Sequence, residues 1–559
     1  MLRYIRGIIA VKLTGRQFIF FLFLLCFLSF LPFSAKHFAH DSPVTLHVAN
    51  QILKNPLNPQ IGEFGKILEI WNHTDLDERS VYYSTPHPPL IPYIIAPFIG
   101  IFGDNRFIMG WIMFTFFFSS VVFFYKLYCV LKLPYPRSST ILFSFCPAVF
   151  VNSQDIMLDV PLMMFTLGAF YFLFRSDSGK DGAISGLFFT LGMLTKFTAG
   201  SFLFCSLFYL LYMKQWRRMV LFFTPFIILY GAWSIQNYIF YGKLQIISNG
   251  HMKYSIGDIR YRFERMLSYA GGTIVFPLIP AAIALINSGP RLIFTVIIII
   301  SSIYSALLIH FLNYDIYSAF FFALSSSSGT FIMYITLSRL SFISNPKLFT
   351  IFIHLIIQIL GGGFLTCYET RYLLPFIFAL FAGFSVFIHE NFNSVQARFL
   401  FGISIVTSLT LSIMLSISEA RNSALPELLC KELRLYNSGS IKYAGRLDYL
   451  YYMHRAGFKY CAAGDSLYKG NLILRNCQNN DDAYLFNYPG KIYTPVDTFS
   501  FTLFPIATIG KRAGFYGDDR LPYLICGIDT KRRFILYQVK DSLSTAPRRQ
   551  VFSSAAKHL

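Results

Sequence analysis

The first 417 residues of the chain alternate between long apolar runs and short polar or basic loops. A helix needs about 20 apolar residues to cross the hydrocarbon layer of a bilayer, and most of these runs approach that length. Counting them predicts about thirteen transmembrane helices, and therefore a polytopic α-helical membrane protein. The predicted spans lie at residues 18–33, 107–131, 138–152, 159–175, 183–197, 199–213, 218–235, 272–288, 291–312, 316–337, 347–366, 372–388 and 397–417.

A long polar loop, residues 34–87, follows the first span. Asp41-Ser42-Pro43 predicts a helix start, because a capping side chain precedes a proline in the first turn, and Asn55-Pro56 predicts its end. Apolar residues then recur at helical spacing from Phe64 to Trp71, which is typical of a helix lying in the membrane interface.

Two other segments depart from the pattern of long spans. The proline-rich segment 88–102 is short, and we predict that it is re-entrant or interfacial. After residue 418 the chain is polar, and runs such as RLDYLYYMHRAGF and RRFILYQV predict a helix and a strand. We therefore expect a transmembrane domain over 1–417 and a small α/β domain over 418–559.

Composition agrees with a membrane protein and narrows its partners. Hydrophobic residues make up 55% of the chain and charged residues only 14%, against roughly 25% charged in soluble proteins. The net charge of +20 comes with no nucleic-acid reader motif, so we expect membrane lipids and no nucleic acid as partners. The nine cysteines form no CxxC pair, which argues against structural zinc. An exported C-terminal domain would permit disulfides among Cys430, Cys461, Cys477 and Cys526.

The distribution of Lys and Arg among the loops predicts the orientation. With a cytoplasmic N-terminus, most basic loop residues fall on the cytoplasmic side, as the positive-inside rule requires. The first long loop and the C-terminal domain then face the periplasm, across a bacterial inner membrane. Four arginines fall outside against this rule, and a bound anion is a physical reason to keep them there: Arg260, Arg262, Arg265 and Arg371.

The same topology collects the unusual polar residues of the chain at the outer membrane boundary. Ionisable groups are costly there and are usually functional. We therefore predict one polar site formed by residues that are far apart in the sequence. They are Asp41, His87 in YYSTPHPPL, Asp155 and Asp159 in NSQDIMLDVPL, Lys196 at the end of LFFTLGMLTKF, and Glu369 with Arg371 in CYETRYLLP.

Six stretches in this order resemble a known family of enzymes. They are HDSPVTLHVANQILKNPLNP, HPPLIPYIIAPFIGIFG, DIMLDVPLMMF, GLFFTLGMLTKFTAG, AWSIQNYIFYG and ETRYLLPFIFAL. Together they resemble the dolichyl-phosphate-mannose protein mannosyltransferase superfamily, and especially its bacterial branch containing the lipid A aminoarabinose transferase. The resemblance covers roughly residues 20–390, and beyond 418 it is only general.

The resemblance implies a GT-C-type fold and inverting transfer of a sugar from a polyprenyl-phosphate donor to a lipid, glycan or protein acceptor at the periplasmic face. Two positions depart from the family pattern. Where relatives often have two adjacent acids in the first loop, this chain has His40 followed by Asp41. Where some relatives have a lysine, it has His87, which is only partly charged near neutral pH.

The chemistry of glycosyl transfer assigns provisional roles to these residues. A polyprenyl phosphate leaves as a stable anion, so one carboxylate base and several cations suffice. Asp41 is the candidate base, with Asp155 and Asp159 as further catalytic candidates. The candidates for binding the donor phosphate are His87, Lys196, Arg260, Arg262, Arg265 and Arg371, and those for binding substrate are Tyr82, Tyr83 and Glu369.

Each of these residues also has a purely structural interpretation. Asp41 and Asp159 are placed to cap or begin helices, and Lys196 is placed to extend its nitrogen to the membrane interface. The arginines of 260–265 suit lipid headgroups as well as a donor phosphate. We expect no cofactor, although two or three outer acids would be able to hold a divalent ion.

Two other classes of function compete with a glycosyltransferase. A secondary transporter would have paired repeats and broken helices near the bilayer midplane, and the sequence contains no repeat. A non-catalytic assembly factor for envelope polysaccharide would bind the donor lipid without turnover. The sequence does not identify the sugar, the acceptor or the polyprenol.

Overall fold

The computed structural model describes most of the transmembrane part and about half of the C-terminal part of the chain. The described residues are 14–59, 87–242, 244, 256–274, 291–312, 315–340, 345–362, 369–436, 441–443, 447–460, 469–476, 493–502, 504–510, 513–516, 520–525 and 531–540.

Helices make up most of this part of the chain. They are α1 (Gly15–Phe30), α2 (Ser42–Lys54), α3 (Leu90–Phe102), α4 (Arg106–Val130), α5 (Pro136–Ser144), α6 (Pro147–Phe150), α7 (Asp159–Arg175), α8 (Gly179–Met193), α9 (Gly200–Tyr212), α10 (Trp216–Tyr241), α11 (Ile256–Tyr269), α12 (Arg291–Leu312), α13 (Ile316–Leu340), α14 (Pro346–Gly362), α15 (Ile377–Asn391), α16 (Ser394–Leu433) and α17 (Leu447–Arg455). Short 3₁₀ turns connect some of them, at Leu31–Phe33, Asn152–Gln154, Phe197–Ala199 and Thr370–Phe376.

Within the described residues, six helical segments are long and apolar enough to cross a membrane. They are Gly15–Phe33, Arg106–Val130, Trp216–Tyr241, Ile316–Arg339, Thr370–Asn391 and Ser394–Leu433. Many of their large apolar side chains are exposed on the outside of the bundle, as lipid contact requires. A polytopic helical membrane protein is thereby confirmed, whereas the total of thirteen spans stays a prediction.

The predicted span at 138–152 is wrong as a single helix. Helix α5 ends at Ser144, α6 begins at Pro147, and the 3₁₀ turn Asn152–Gln154 follows. Proline lacks the N–H that would continue the first helix, and its ring clashes with the preceding turn. Every residue from Phe145 to Asp155 is buried, so the chain turns inside the bundle and delivers Asp155 to its interior.

The predicted helix of the first loop is confirmed, but its predicted cap is wrong. Helix α2 begins at Ser42 and ends at Lys54, whereas the Asp41 side chain makes no capping bond, because its carboxylate pairs with Arg371 instead. The predicted interfacial stripe from Phe64 to Trp71 lies outside the described residues. The proline-rich segment 88–102 forms the 13-residue helix α3, which is shorter than a membrane span.

The C-terminal part contains a small mixed sheet, which confirms the α/β prediction. Its five strands lie in the order β2-β1-β3-β9-β4, and β9 pairs antiparallel with both β3 and β4. Helix α17 and the end of α16 share a hydrophobic core with this sheet. The nine strands are β1 (Ile441–Tyr443), β2 (Lys459–Tyr460), β3 (Leu472–Asn476), β4 (Tyr493–Thr502), β5 (Ile506–Ala507), β6 (Ile509–Gly510), β7 (Ala513–Gly514), β8 (Leu524–Ile525) and β9 (Lys531–Val539).

The two parts of the chain are joined by a continuous helix and by a shared core. Helix α16 runs from Ser394 to Leu433 without interruption, so the boundary we placed at 417 falls inside it. The short strands β5–β8 pack against the bundle, where Phe515 and Tyr523 join Leu415 in one buried cluster. The C-terminal segment therefore closes one end of the bundle, and the polar site lies beneath it.

Candidate active site

Arg371 lies at the centre of a group of three carboxylates. Its guanidinium forms a short ion pair with Asp41, lies 2.8 Å from Glu369 Oε2 and lies 3.8 Å from Asp159 Oδ2. The Arg371 side chain is 9% exposed, whereas that of Asp41 is 38% exposed. Asp41 is thus the carboxylate of this group that is most open to an incoming substrate.

Lys196 supplies the second cation of the same group. Its Nζ lies 2.7 Å from Asp159 Oδ1, and both side chains are buried. The ring of Tyr372 lies 4.5 Å below the Lys196 nitrogen and 5.4 Å from the Arg371 guanidinium, so one aromatic face supports both cations. Lys196 therefore does not extend to the membrane interface. We call Asp41, Asp159, Lys196, Glu369 and Arg371 the Arg371 cluster.

The local sequence explains how these side chains reach one place. Asp41 precedes the first residue of α2 but makes no capping bond, so its carboxylate is available to Arg371. Asp159 is the first residue of α7, and Lys196 lies in the extended turn that follows α8. Arg371 lies in the 3₁₀ turn before α15, just after the extended residue Glu369. Helix ends thus position most of the cluster.

A second charged group, the Lys36 cluster, adjoins the first. Lys36 Nζ lies 2.5 Å from Asp155 Oδ2 and 3.8 Å from Glu419 Oε2, and all three side chains are at most 2% exposed. His40 Nε2 lies 3.0 Å from Glu419 Oε2. Ligand atoms of His40, Asp155 and Glu419 all lie within 4.8 Å of one another, which is a spacing that a divalent ion could bridge.

Consecutive residues of the first loop join the two clusters. His40 contacts Glu419 in the Lys36 cluster, and Asp41 contacts Arg371 in the Arg371 cluster. His40 has a φ of +54°, a left-handed conformation that is uncommon for a residue with a side chain. This turn directs the two neighbouring side chains into different clusters.

The C-terminal segment covers the Lys36 cluster. The Tyr516 ring stacks on the His40 ring with centroids 3.7 Å apart, and the Thr508 hydroxyl donates to Glu419. The backbone carbonyl of Phe515 accepts a 2.9 Å hydrogen bond from the hydroxyl of Thr370, next to Arg371. Thr508 and Tyr516 therefore contact the Lys36 cluster, and Phe515 contacts Thr370, the residue between Glu369 and Arg371.

The pKa values of Asp41, His87 and Glu369 are shifted by different combinations of burial and neighbouring charge. Burial raises the pKa of Asp41, but the charge and hydrogen bond of Arg371 outweigh it and hold this pKa below its ordinary value. Burial, reinforced by the charge of Lys196, lowers the pKa of His87 to about 3, so His87 is neutral at pH 7. Burial raises the pKa of Glu369 despite the opposing charge of Arg371.

The pKa of His40 moves in the opposite direction to that of His87. Burial lowers the pKa of His40, but the hydrogen bond and charge of Glu419 outweigh it and raise this pKa above its ordinary value. His40 therefore carries more positive charge at neutral pH than an unperturbed histidine.

The other predicted residues lie elsewhere or outside the described chain. Arg260 is exposed on α11 and pairs with Glu264 at 2.9 Å. Arg262 and Arg265 are buried on the same helix, and the Arg265 guanidinium lies 4.0 Å from the Tyr261 ring centroid. Contact of these arginines with a donor phosphate stays a prediction. Tyr82 and Tyr83 lie outside the described residues.

Sequence reasoning missed the members of the Lys36 cluster other than Asp155. The signal for Glu419 was present, because it is an acid in a long helix that has no other charged residue between Arg398 and this position. Lys36 and His40 gave a weaker signal, because polar residues are ordinary in a loop. Thr508 and Tyr516 gave none, since their roles depend on contacts with residues about 90 or more positions away.

Cys430 corrects one further expectation. Its thiol is buried and free, and it lies 3.6 Å from the Met453 sulfur, so it takes no part in a disulfide. The other three cysteines of the C-terminal domain lie outside the described residues.

Comparison with protein families confirms the resemblance over part of the chain. Residues 86–235 match the family described as dolichyl-phosphate-mannose-protein mannosyltransferase. The matched segment contains His87, Asp155, Asp159 and Lys196, and it ends before Arg371. No curated protein sequence matches the chain.

Several solved structures are similar to this one. The crystal structure of ArnT from Cupriavidus metallidurans bound to undecaprenyl phosphate aligns over 94% of this chain and 98% of its own, with 10% identity and a TM-score of 0.48. The same protein in the apo state gives 11% identity and a TM-score of 0.38 over 93% of this chain and 97% of that one. The cryo-EM structure of the arabinofuranosyltransferase AftD from Mycobacteria gives 12% identity and a TM-score of 0.38, over 94% of this chain and 40% of that one.

The hydrogen bond from Thr508 to Glu419 of the Lys36 cluster yields a prediction about stability. Thr508→Val keeps the volume of the side chain but removes the hydroxyl that donates to buried Glu419. Because one oxygen of this buried carboxylate then loses its hydroxyl donor, unfolding in detergent should become easier by about 1–3 kcal/mol. Thr407→Val is the matched control, since that hydroxyl bonds only to backbone carbonyls of its own helix. Equal melting temperatures for the two variants would contradict this role of Thr508.

Proposed function

We propose that the protein is an inverting glycosyltransferase that takes a sugar from a polyprenyl-phosphate donor at the periplasmic face of a bacterial inner membrane. The observation that carries this proposal is the pair of a buried Arg371 and a partly exposed Asp41 at one end of an apolar helix bundle. The family match over 86–235 supports the donor class, because the family is named for a sugar carried on dolichyl phosphate. About thirteen spans and a periplasmic C-terminal domain complete this proposal.

The Arg371 cluster supplies the groups that such a reaction requires. A base must remove the proton of the acceptor hydroxyl as the hydroxyl attacks the anomeric carbon, and cations must stabilise the departing phosphate. Asp41 is the proposed base, because it is exposed enough to reach an acceptor. Lys196 and Arg371 are the proposed phosphate ligands, because the arginine fork matches phosphate oxygens and the lysine adds a point charge.

The starting state has one feature that shapes the mechanism. Arg371 is already paired with Asp41, so an incoming phosphate must compete for the same guanidinium. When the phosphate takes over Arg371, Asp41 loses the charge that holds its pKa low, and it becomes a stronger base. Donor binding thereby activates the base, which favours an order in which donor binds before acceptor.

The remaining candidates take supporting roles in this proposal. Asp159 holds Lys196 in place through their 2.7 Å pair, and we assign it to positioning rather than to proton transfer. Neutral His87 is a hydrogen-bond partner of the donor rather than a counter-charge. Arg262 and Arg265 are proposed to contact the phosphate of the donor from α11. Glu369, Tyr82 and Tyr83 are proposed to bind hydroxyls of the sugar.

The Lys36 cluster explains why we propose a reaction without a metal cofactor. A divalent ion would need the oxygens of Asp155 and Glu419, and Lys36 already lies between them. The Lys36 side chain is 1% exposed, and its charge neutralises the same carboxylates that a metal would neutralise. We propose that Lys36 is a fixed cation in the position of a metal ion, and that it stabilises the turn leading to Asp41.

The first test of the function is Asp41→Asn. Transfer of sugar from a polyprenyl-phosphate donor should fall by about 10²–10⁴-fold, the usual contribution of a positioned base. Donor affinity should stay the same or increase, because the amide no longer holds Arg371 in an ion pair. Asp177→Asn is the control, since Asp177 is an exposed acid that pairs with Arg218 instead.

These two readouts separate the competing explanations for Asp41. Loss of both transfer and donor binding would mean that Asp41 holds the fold or the donor rather than the acceptor proton. Near-normal transfer in the purified variant would remove Asp41 as the base. Donor binding without any turnover in the unaltered protein would favour the assembly-factor alternative.

The second test concerns the fixed cation. Lys36→Ala should destabilise the protein by about 3–5 kcal/mol, because removal of one partner leaves buried carboxylates uncompensated. Mn²⁺ or Zn²⁺ should restore much of this stability by binding His40, Asp155 and Glu419, with one metal ion per chain by elemental analysis. Lys36→Ala/Asp155→Ala should show no such restoration. A stoichiometric metal in the unaltered protein, or its inactivation by EDTA, would contradict the proposal.

The third test concerns orientation. In a cysteine-free background, Leu57→Cys should react with a membrane-impermeant maleimide in intact spheroplasts, because residue 57 is exposed in the first loop. Arg217→Cys should react only after permeabilisation, since Arg217 is exposed in the first turn of α10, at the end that we propose to be cytoplasmic. The opposite pattern would reverse the topology and move the site to the cytoplasmic face.

A further inference from the structure

An open cleft lies beside the first loop and outside both charged clusters. It encloses about 330 Å³ between the end of α16, helix α17 and the start of α4. We call it the Tyr451 cleft and define it by Phe38, Arg106, Lys431, Arg434, Tyr451 and Arg455. Its volume is at the lower end of the range for small-molecule sites, about 300–1,000 Å³.

The cleft carries an excess of positive charge. Four basic residues line it, Arg106, Lys431, Arg434 and Arg455, against the two acids Asp104 and Glu427. Two plus charges therefore remain unbalanced. An anion in the cleft would meet these groups close to solvent, where it would lose little of its hydration on binding.

The two acids do not consume all of the basic groups. Asp104 pairs with Arg455 at 2.7 Å, and Glu427 is shared by Arg106 at 3.2 Å and Lys431 at 3.3 Å. Lys431 is 60% exposed, so its remaining donors face solvent. In the part of the chain that the structure describes, Arg434 makes no ion pair, and its side chain is exposed. Lys431 and Arg434 are therefore the cations that a ligand would bind.

Aromatic rings also line the cleft. The rings of Tyr451 and Tyr452 are perpendicular, with centroids 5.1 Å apart, and Phe38 packs edge-on against Tyr451 at 6.0 Å. Flat aromatic faces pack against the C–H faces of a sugar ring. The combination of aromatic faces with an excess of arginine and lysine suits a saccharide that carries a negative group.

The cleft is close to the proposed base along the chain. The backbone N–H of Phe38 donates to the Tyr452 hydroxyl at 2.9 Å, which fixes the first loop against the cleft wall. Asp41 follows three residues later, and three residues span at most about 11 Å. The backbone positions of Phe38 and Asp41 are thus at most about 11 Å apart, so a saccharide of more than one unit could extend from the cleft towards Asp41.

We propose that the Tyr451 cleft is an acceptor subsite that binds an anionic saccharide, one bearing a phosphate or a carboxylate group. This inference rests on the proposed glycosyltransferase function for the meaning of "acceptor", although binding itself does not depend on turnover. The saccharide belongs either to a glycolipid or to a soluble glycan, and the two sources share the chemistry that the cleft recognises.

Binding of defined probes tests the subsite directly. Titration calorimetry of the full-length protein in detergent should detect glucose 6-phosphate and glucuronate, with at least tenfold weaker binding of glucose and of inorganic phosphate. Lys431→Gln/Arg434→Gln should weaken glucose 6-phosphate binding by about tenfold or more, which corresponds to 1.4 kcal/mol. Arg398→Gln is the matched control, an exposed arginine on the same helix at roughly 54 Å from Arg434 by helical rise.

The outcomes that would overturn the proposal are distinct. Equal affinity for inorganic phosphate and glucose 6-phosphate would show an anion site without sugar recognition. Binding that vesicles containing phosphatidylglycerol abolish, but vesicles of phosphatidylcholine do not, would show a lipid-headgroup contact. An unchanged affinity in Lys431→Gln/Arg434→Gln would place the probe elsewhere.

A final arm separates failure of this subsite from failure of the proposed function. Asp41→Asn should leave the affinity for glucose 6-phosphate unchanged, because the cleft does not include Asp41. In a transfer assay with a phosphorylated glycolipid or its deacylated glycan, Lys431→Gln/Arg434→Gln should raise the KM for the acceptor and leave the KM for the donor unchanged. Inactivity of every acceptor with normal probe binding would overturn the transferase proposal and leave the binding site standing.

Discussion

The ion pair between Arg371 and Asp41 is the interaction on which the rest of the site depends. A guanidinium buried at the end of an apolar bundle is tolerated only if carboxylates compensate it, because a buried unpaired charge costs several kcal/mol. Asp41, Asp159 and Glu369 provide that compensation, and they come from segments that helix ends bring together. The fold therefore holds Arg371 in a neutralised form, and under the proposed function the donor phosphate would compete with these carboxylates for it.

This arrangement accounts for the unequal exposure of the carboxylates around one cation. Asp159 is buried and is also held by Lys196, so it cannot leave its partners without stranding a second charge. Asp41 is more exposed and is held by Arg371 alone among the described ion pairs, so it is released at the lowest cost. The group most easily displaced from the arginine is thus the one best placed to act on a substrate. A uniform burial of all three acids would bind Arg371 more firmly but would leave no free base.

The sequence predicted which residues form this site better than it predicted which of them pair with each other. Asp41, Lys196 and Arg371 were recognisable because polar residues at the ends of apolar runs accumulate on one face of a membrane, and topology alone brings them to the same level. The partner of each cation was not predictable, since Arg371 and Asp41 are separated by 330 positions. Lys36 and Glu419 escaped for the same reason, and the break at Pro147 escaped because hydrophobicity does not distinguish one span from two short buried helices.

His40 and Asp41 are consecutive residues whose side chains belong to different charged clusters. His40 adopts a left-handed conformation that stacks its ring on Tyr516, and the next side chain then reaches Arg371. Such a conformation is disfavoured in isolation, so the contacts of His40 with Glu419 and Tyr516 must maintain it. Because Tyr516 belongs to the C-terminal segment, a shift of that segment on acceptor binding would move His40 first and Asp41 with it. Under the proposed function, the orientation of the base Asp41 is thereby set by His40, Glu419 and Tyr516, which have no proposed part in the chemistry.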